Sequence, residues 1–123
     1  MNPDNDITLL PYPQADLLTF EWGELSWFAN AALGNTQEVT VGRCTLNPGM
    51  GNPRHYHPNC DEILTVLKGR IRHTGPGGEP LEMSEGDTVT IPPNIWHRAE
   101  NIGEGHAVLL VVFNSAHRQT IGE

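Results

Sequence analysis

The sequence is poor in cysteine and in basic residues, and each shortage excludes a class of protein. Two cysteines, Cys44 and Cys60, occur in 123 residues, and they do not form a CxxC pair. Two thiols allow one disulfide at most, which is too few for a small secreted scaffold held together by disulfides. Seven basic against fifteen acidic residues give a formal charge of −8. This balance argues against a nucleic-acid-binding surface and against docking on anionic lipid.

Long apolar runs are also missing. The longest run, residues 107–113, is far too short to cross a bilayer. Residues 1–6 are polar and acidic, without the basic and apolar regions of a secretory signal. We therefore expect a cytoplasmic protein that does not bind a membrane, and its length fits a single domain over residues 1–123.

Glycine and proline, by contrast, are abundant, with thirteen and ten residues scattered between short apolar runs. This pattern indicates many tight turns between strands and little helix. Strands are predicted over residues 38–46, 54–57, 62–68, 70–73, 88–91, 96–100 and 106–113. Residues 16–32 are the best helical candidate, although their aromatic side chains suit strands equally. The fold class predicted is all-β, a barrel or sandwich.

Two histidines and a glutamate lie close together in the sequence. Side chains alternate between the faces of a strand, so His55 and His57 point the same way. Glu62 follows a four-residue turn, at a position from which its carboxylate can return to the level of the histidines. Its neighbour Asp61 would point to the opposite face, but a register error of one residue would exchange the two. Asp61 therefore stays open as an alternative ligand.

A third histidine, His97, follows a loop stiffened by Pro92 and Pro93. Three imidazoles and a carboxylate form a nitrogen-rich donor set. Such a set suits Fe(II), Mn(II), Ni(II), Cu(II) or Zn(II) rather than Ca(II) or Mg(II). We expect His55, His57, Glu62 and His97 to hold one divalent transition metal.

The spacing of these residues resembles the first of the two motifs of the cupin family of small jelly-roll barrels. Five residues separate Gly49 from His55, four separate His57 from Glu62, and six separate Glu62 from Gly69. This first motif spans residues 49–69.

The second cupin motif is matched over residues 86–101. Gly86, Pro92, His97 and Asn101 all fall at its fixed positions. The one departure is Asn94, where the family usually has glycine. Asparagine tolerates the left-handed backbone that such a turn requires, so the exchange is physically mild.

The resemblance implies a double-stranded β-helix, or jelly-roll, barrel around a small-molecule site. A metal-dependent oxygenase acting on a small oxygen-rich organic molecule is the leading interpretation. A redox-neutral isomerase or lyase acting on a sugar acid or polyketide-like compound is the second, and a ligand-binding or sensor module without turnover is the third. Glu62, or a hydroxide on the metal, would serve as the catalytic base.

The sequence also suggests substrate contacts and an assembly. Arg54 is expected to hold an anionic group, and the aromatic residues Trp27, Trp96 and Phe113 to line the pocket. A small jelly roll has exposed sheet edges that a partner usually covers. We therefore expect a homodimer, with residues 1–20 as an N-terminal arm lying on the neighbouring subunit.

Overall fold

In the computed structural model, which describes residues 6–122, the chain folds almost entirely into short antiparallel strands. A turn of 3-10 helix at Tyr12–Gln14 precedes them. The strands are β1 (Asp16–Phe20), β2 (Gly23–Ala29), β3 (Thr40–Leu46), β4 (His55–Tyr56), β5 (Glu62–Lys68), β6 (Ile71–Thr74), β7 (Pro80–Met83), β8 (Thr88–Ile91), β9 (Arg98–Asn101), β10 (Ala107–Phe113) and β11 (Ile121–Gly122).

The strands pair into three sheets within this range. A six-stranded sheet has the order β1-β2-β3-β10-β5-β8, a three-stranded sheet has the order β7-β6-β9, and β4 pairs with β11. Neighbours in the sheets are often distant in the sequence, as where β10 pairs with both β3 and β5. These crossovers bring β4, β5 and the residues before β9 together.

The core lies between the two larger sheets. Along β3 and β10 every second side chain is buried, the alternation expected of strands with one face on a core. Inward residues of the six-stranded sheet, such as Leu46 and Leu109, belong to one buried cluster with Ile71 and Ala99 of the three-stranded sheet. The predicted all-β jelly-roll barrel with little helix is confirmed.

The predicted strands agree with the structure best where apolar alternation is strong. Strands β5 and β8 occupy the predicted residues. Residues 16–32 contain strands β1 and β2 and no helix. Strands β7 and β11 were not predicted, because β7 is largely exposed and β11 has two residues. Neither offers enough apolar alternation to stand out in the sequence.

The predicted N-terminal arm is only partly described. Residues 1–5 lie outside the described residues. Residues 16–20 form the edge strand β1, which pairs in register with β2 of the same chain. That part of the predicted arm is therefore a strand of the barrel's own sheet.

Two further findings concern the cysteines and the possibility of a membrane-spanning helix. Cys44 and Cys60 are both buried and free. None of the helical structure between residues 6 and 122 is long and apolar enough to cross a membrane.

Candidate metal centre

Glu62 lies at the first position of β5, on the buried face of that strand. Alternation along β5 places Glu62, Leu64 and Val66 inside and Ile63 outside. Glu62 pairs with Phe113 of β10 and is 5% exposed. The alternation that fills the core therefore also directs this carboxylate into the barrel.

Three histidines reach the same point from two neighbouring segments. His55 and His97 lie opposite each other, and their backbones exchange N–H to carbonyl bonds of 3.0 and 2.8 Å. Before His97 the chain turns at Asn94, which has a φ of 66° and donates its N–H to the carbonyl of His57 at 2.9 Å. The three imidazole centroids are 4.2, 4.9 and 5.2 Å apart.

Each of the three histidines donates its Nδ1–H to a backbone carbonyl. The bonds run from His55 to Pro53 at 2.7 Å, from His57 to Gln119 at 2.9 Å and from His97 to Ile95 at 2.9 Å. A carbonyl oxygen can only accept, so a neutral ring in this arrangement keeps its proton on Nδ1 and a free lone pair on Nε2. Backbone partners of this kind orient imidazoles that bind metals.

The Nε2 atoms crowd around the carboxylate of Glu62. Oε1 of Glu62 is 3.0 Å from Nε2 of His97 and 3.2 Å from Nε2 of His57, and the latter nitrogen is buried without a properly oriented hydrogen bond. Lone pairs at this distance need a proton or a metal ion between them. A divalent cation bound between these atoms would give the lone pair of His57 Nε2 a partner.

The geometry fits one ion. The four candidate ligand atoms, from His55, His57, Glu62 and His97, all lie within 4.8 Å of one another. Ligands about 2.1 Å from an octahedral ion stand roughly 3.0 Å apart when adjacent and roughly 4.2 Å apart when opposite, so small side-chain shifts would bring the four atoms into coordination distance. Three imidazole nitrogens and one carboxylate oxygen suit a divalent transition metal, as the sequence predicts.

The pKa values of Glu62 and of the histidines around it depend on one another. Burial raises the pKa of Glu62, but the close approach of the His57 and His97 rings and the charges of these rings outweigh burial and lower it to about 2. Burial lowers the pKa of His97, yet the bond to Glu62 and the charge of Glu62 prevail and raise it. For His55, burial and the charge of His97 lower the pKa to about 4. The carboxylate of Glu62 is therefore ionised at neutral pH, which is the form that binds a metal ion.

Three of the four groups, His55, His57 and Glu62, line a cavity of about 290 Å³. The rest of the wall of this barrel cavity is chiefly aromatic and aliphatic. It includes Phe20, Trp22, Trp27, Leu64, Leu109 and Phe113. Such a wall offers contact area to an apolar group.

Two polar residues of the C-terminal segment also line the barrel cavity, Arg118 and Thr120. The hydroxyl of Thr120 accepts a hydrogen bond from Nη1 of Arg118 and lies 3.2 Å from Nδ1 of His57. The Arg118 guanidinium carbon lies 4.3 Å from the ring centroid of Trp27 and 5.3 Å from that of Phe113. Arg118 and Thr120 thus form a second polar group beside the four candidate metal ligands.

Residues 42–113 match the family model described as Cupin domain. That range covers more than half of the 123 residues. The chain belongs to the cupin family. Among curated proteins, this cupin is 35% identical over 85 residues to germin-like protein 3-8 of Oryza sativa subsp. japonica, which covers 66% of the chain and 38% of that protein. It is 35% identical over 88 residues to oxalate oxidase 1 of Hordeum vulgare, covering 66% and 44%.

Solved structures agree with the fold. The cupin superposes on oxalate decarboxylase of Lactobacillus farciminis with a TM-score of 0.81 at 20% identity, covering 89% of this chain and 34% of the other. An oxalate oxidase gives a TM-score of 0.75 at 27% identity, covering 85% and 56%. The chain spans less than half the length of the two curated relatives, germin-like protein 3-8 and oxalate oxidase 1.

The structure of the cupin places the predicted substrate residues in two groups. Trp27 and Phe113 line the barrel cavity. Arg54 and Trp96 do not line it, and the guanidinium of Arg54 instead lies 5.2 Å from the ring centroid of Trp96. Each of these two residues is adjacent in sequence to a histidine of the cluster and so faces the other way.

The alternative ligand Asp61 is not brought to the cluster. Its carboxylate accepts a hydrogen bond from Nδ2 of Asn114 at 3.2 Å, and its N–H donates to Oδ1 of Asn114 at 2.9 Å. Sequence reasoning missed Arg118 and Thr120, which follow β10 without any motif. Their nearness to His57 depends on pairing between β4 and β11, which are distant in the chain.

Proposed function

We propose that this cupin is a metal-dependent oxidoreductase of the oxygenase type that acts on a small oxygen-rich organic molecule. The observation that carries the proposal is the orientation of the three histidines. Each imidazole is fixed by a backbone carbonyl, with its Nε2 turned towards one buried carboxylate. A site prepared in this way lies on a cavity with a largely apolar wall.

In this proposal His55, His57, Glu62 and His97 hold one divalent ion, either Mn, Fe, Ni or Zn. Manganese is favoured because oxalate decarboxylase of Bacillus subtilis, a structural neighbour, contains Mn(II) centres, and iron stands beside it because it is also redox-active. When bound, such an ion is a Lewis acid with coordination positions left for a substrate and, for a redox-active metal, a route for electron transfer. The chain contributes orientation and a largely apolar wall.

The substrate is expected to chelate through two neighbouring oxygens and to carry an apolar body. Oxalate, the substrate named in the relatives' descriptions, has no apolar part. The cavity of about 290 Å³ is larger than oxalate needs, and Trp27 and Phe113 provide apolar walls. A hydroxy acid, an oxo acid or a catechol-like diol with an attached hydrocarbon group fits these features better.

We propose a cytoplasmic homodimer as the working form. The edge strand β1 exposes Leu17 on one face, at 52%, and Leu18 and Phe20 on the other, at 41% and 40%. A second copy that covers this strand would remove both an unpaired edge and an apolar patch. Light scattering is expected to give twice the mass of the chain, and a monomeric mass would contradict the dimer.

Oxygen uptake tests the reaction class. The protein is loaded with Mn(II) or Fe(II) and incubated with oxalate, mandelate or catechol, while dissolved oxygen and the organic products are measured. Oxygen consumption together with product formation supports the proposal. Glu62→Gln should abolish both, whereas Asp61→Asn, its matched neighbour outside the cluster, should leave both unchanged.

The alternatives predict different results in the same assay. A product formed without oxygen consumption would refute the oxygenase and support the redox-neutral isomerase or lyase. A compound that binds tightly and is recovered unchanged would support the binding module instead.

A further inference from the structure

Arg118 is a charged side chain beside the four candidate metal ligands, and it forms no salt bridge with a carboxylate of the described residues. It lines the barrel cavity and is partly buried. Arginine stays charged even where burial lowers its pKa, as it does here. A partly buried cation without a carboxylate of its own is a candidate for binding an anion from solution.

The guanidinium is held in place by other contacts. It stacks over Trp27 at 4.3 Å and lies 5.3 Å from the centroid of Phe113, and the Phe113 ring is itself 4.9 Å from the ring of His57. Nη1 donates to Thr120, which leaves the other N–H groups of the planar fork available. A ring on its face fixes a guanidinium while leaving its edge open, so little entropy would be lost on binding an anion.

The charge of the metal-loaded site favours an anionic substrate. Without metal, the carboxylate of Glu62 offsets the charge of Arg118, which it influences directly. With a divalent ion bound, one carboxylate faces the ion and the guanidinium, and three neutral imidazoles add no charge. The net charge around the cavity then rises to about +2. A substrate with a carboxylate would neutralise this excess, whereas a neutral substrate would leave it uncompensated.

We propose that Arg118 is the specificity-determining residue that selects a substrate bearing a carboxylate beside its metal-chelating oxygen. The inference rests on the proposed function, because it assumes a substrate that chelates the metal. Arg118 lies outside residues 42–113, the range that matches the family model, and so does Trp27, on which it stacks. In this proposal the selecting guanidinium comes from a segment outside the two cupin motifs.

Calorimetric binding of two matched probes tests the assignment. Mandelate and mandelamide have the same phenyl and hydroxyl groups, but the first carries a carboxylate and the second a neutral amide. The full Mn(II)-loaded chain is titrated with each probe, and the same is done with Arg118→Met. We expect the variant to bind mandelate at least about tenfold more weakly, the loss of one charge-assisted bidentate contact, and to bind mandelamide within about twofold of wild type.

Two further variants serve as controls, and a melting curve of each variant checks that it is folded. Arg54→Met, a change at an arginine outside the cavity, should leave both affinities unchanged. Arg118→Lys retains the charge without the fork and should keep part of the preference for mandelate. Equal loss of both probes in Arg118→Met, or unchanged binding of mandelate, would overturn the role of Arg118 while leaving the chelating site intact. If wild type binds neither probe, the chelating site itself fails, and the Arg118 inference fails with it.

Discussion

Replacing Asn101 by alanine should destabilise the barrel by about 3 kcal/mol. Asn101, the last fixed residue of the second motif, is 2% exposed. Its amide donates to the carbonyls of Leu46 at 3.0 Å and Gly105 at 2.8 Å, and its Oδ1 accepts from the N–H of Gly103 at 2.9 Å. Alanine would leave three backbone groups without partners. Each such group costs about 1–3 kcal/mol, and the lower end applies because two of the three bonds are only partly buried.

Urea unfolding of metal-free protein at neutral pH measures this loss without any contribution from metal binding. With a slope of about 2 kcal/mol per molar urea, the midpoint should fall by roughly 1.5 M. The matched control is Asn114→Ala, an exposed asparagine with two hydrogen bonds to Asp61, which should cost less than about 1 kcal/mol. If Asn101→Ala costs no more than this control, the three hydrogen bonds of the Asn101 side chain do not stabilise the barrel in the way argued.

Two further predictions concern the turn before His97 and the histidine behind it. Asn94 has a φ of 66°, a conformation that glycine adopts freely and alanine does not. Asn94→Gly should therefore change the free energy of unfolding by less than about 0.5 kcal/mol, whereas Asn94→Ala should lower it by about 1 kcal/mol. Urea unfolding that finds the alanine variant more stable than the glycine variant would contradict this. His73 is 3% exposed, and burial lowers its pKa to about 4 from 6.5. Because the unfolded chain binds this proton more readily than the folded chain, the stability linked to the neutral His73 ring is complete above pH 6.5. It is lost as the pH falls towards 4, and about 2 kcal/mol is lost by pH 5. His73→Leu should remove this part of the acid sensitivity, and an unchanged difference in unfolding free energy between pH 7.5 and 5 would refute it.

The sequence was most informative where chemistry and strand alternation coincide. His55 and His57 are two residues apart in an extended segment, and Glu62 begins a strand whose alternate residues are buried. Local alternation therefore predicts the direction of three of the four donors. The fourth, His97, reaches them through a backbone bridge to His55, which is 42 positions away in the chain. The same alternation shows why Arg54 and Trp96 face away from the cavity, an implication of their positions beside His55 and His97 that the sequence analysis did not apply.

The parts that escaped prediction depend on long-range pairing. The carbonyl of Gln119 orients His57 from 62 positions along the chain. Arg118 and Thr120 reach the cavity because the C-terminal segment returns to β4 through two residue pairs. No local pattern marks such residues, since neither apolar periodicity nor a motif surrounds them.

The metal content of the wild-type protein and of three variants, Asp61→Asn, Glu62→Gln and His97→Ala, tests the central claim most directly. After loading with Mn(II) and removal of free ion, elemental analysis should find about one ion per chain in wild type and in Asp61→Asn. Glu62→Gln and His97→Ala should keep less than about a tenth of that content and still show a cooperative unfolding transition. Full metal content in either of the last two variants would contradict a site built from His55, His57, Glu62 and His97.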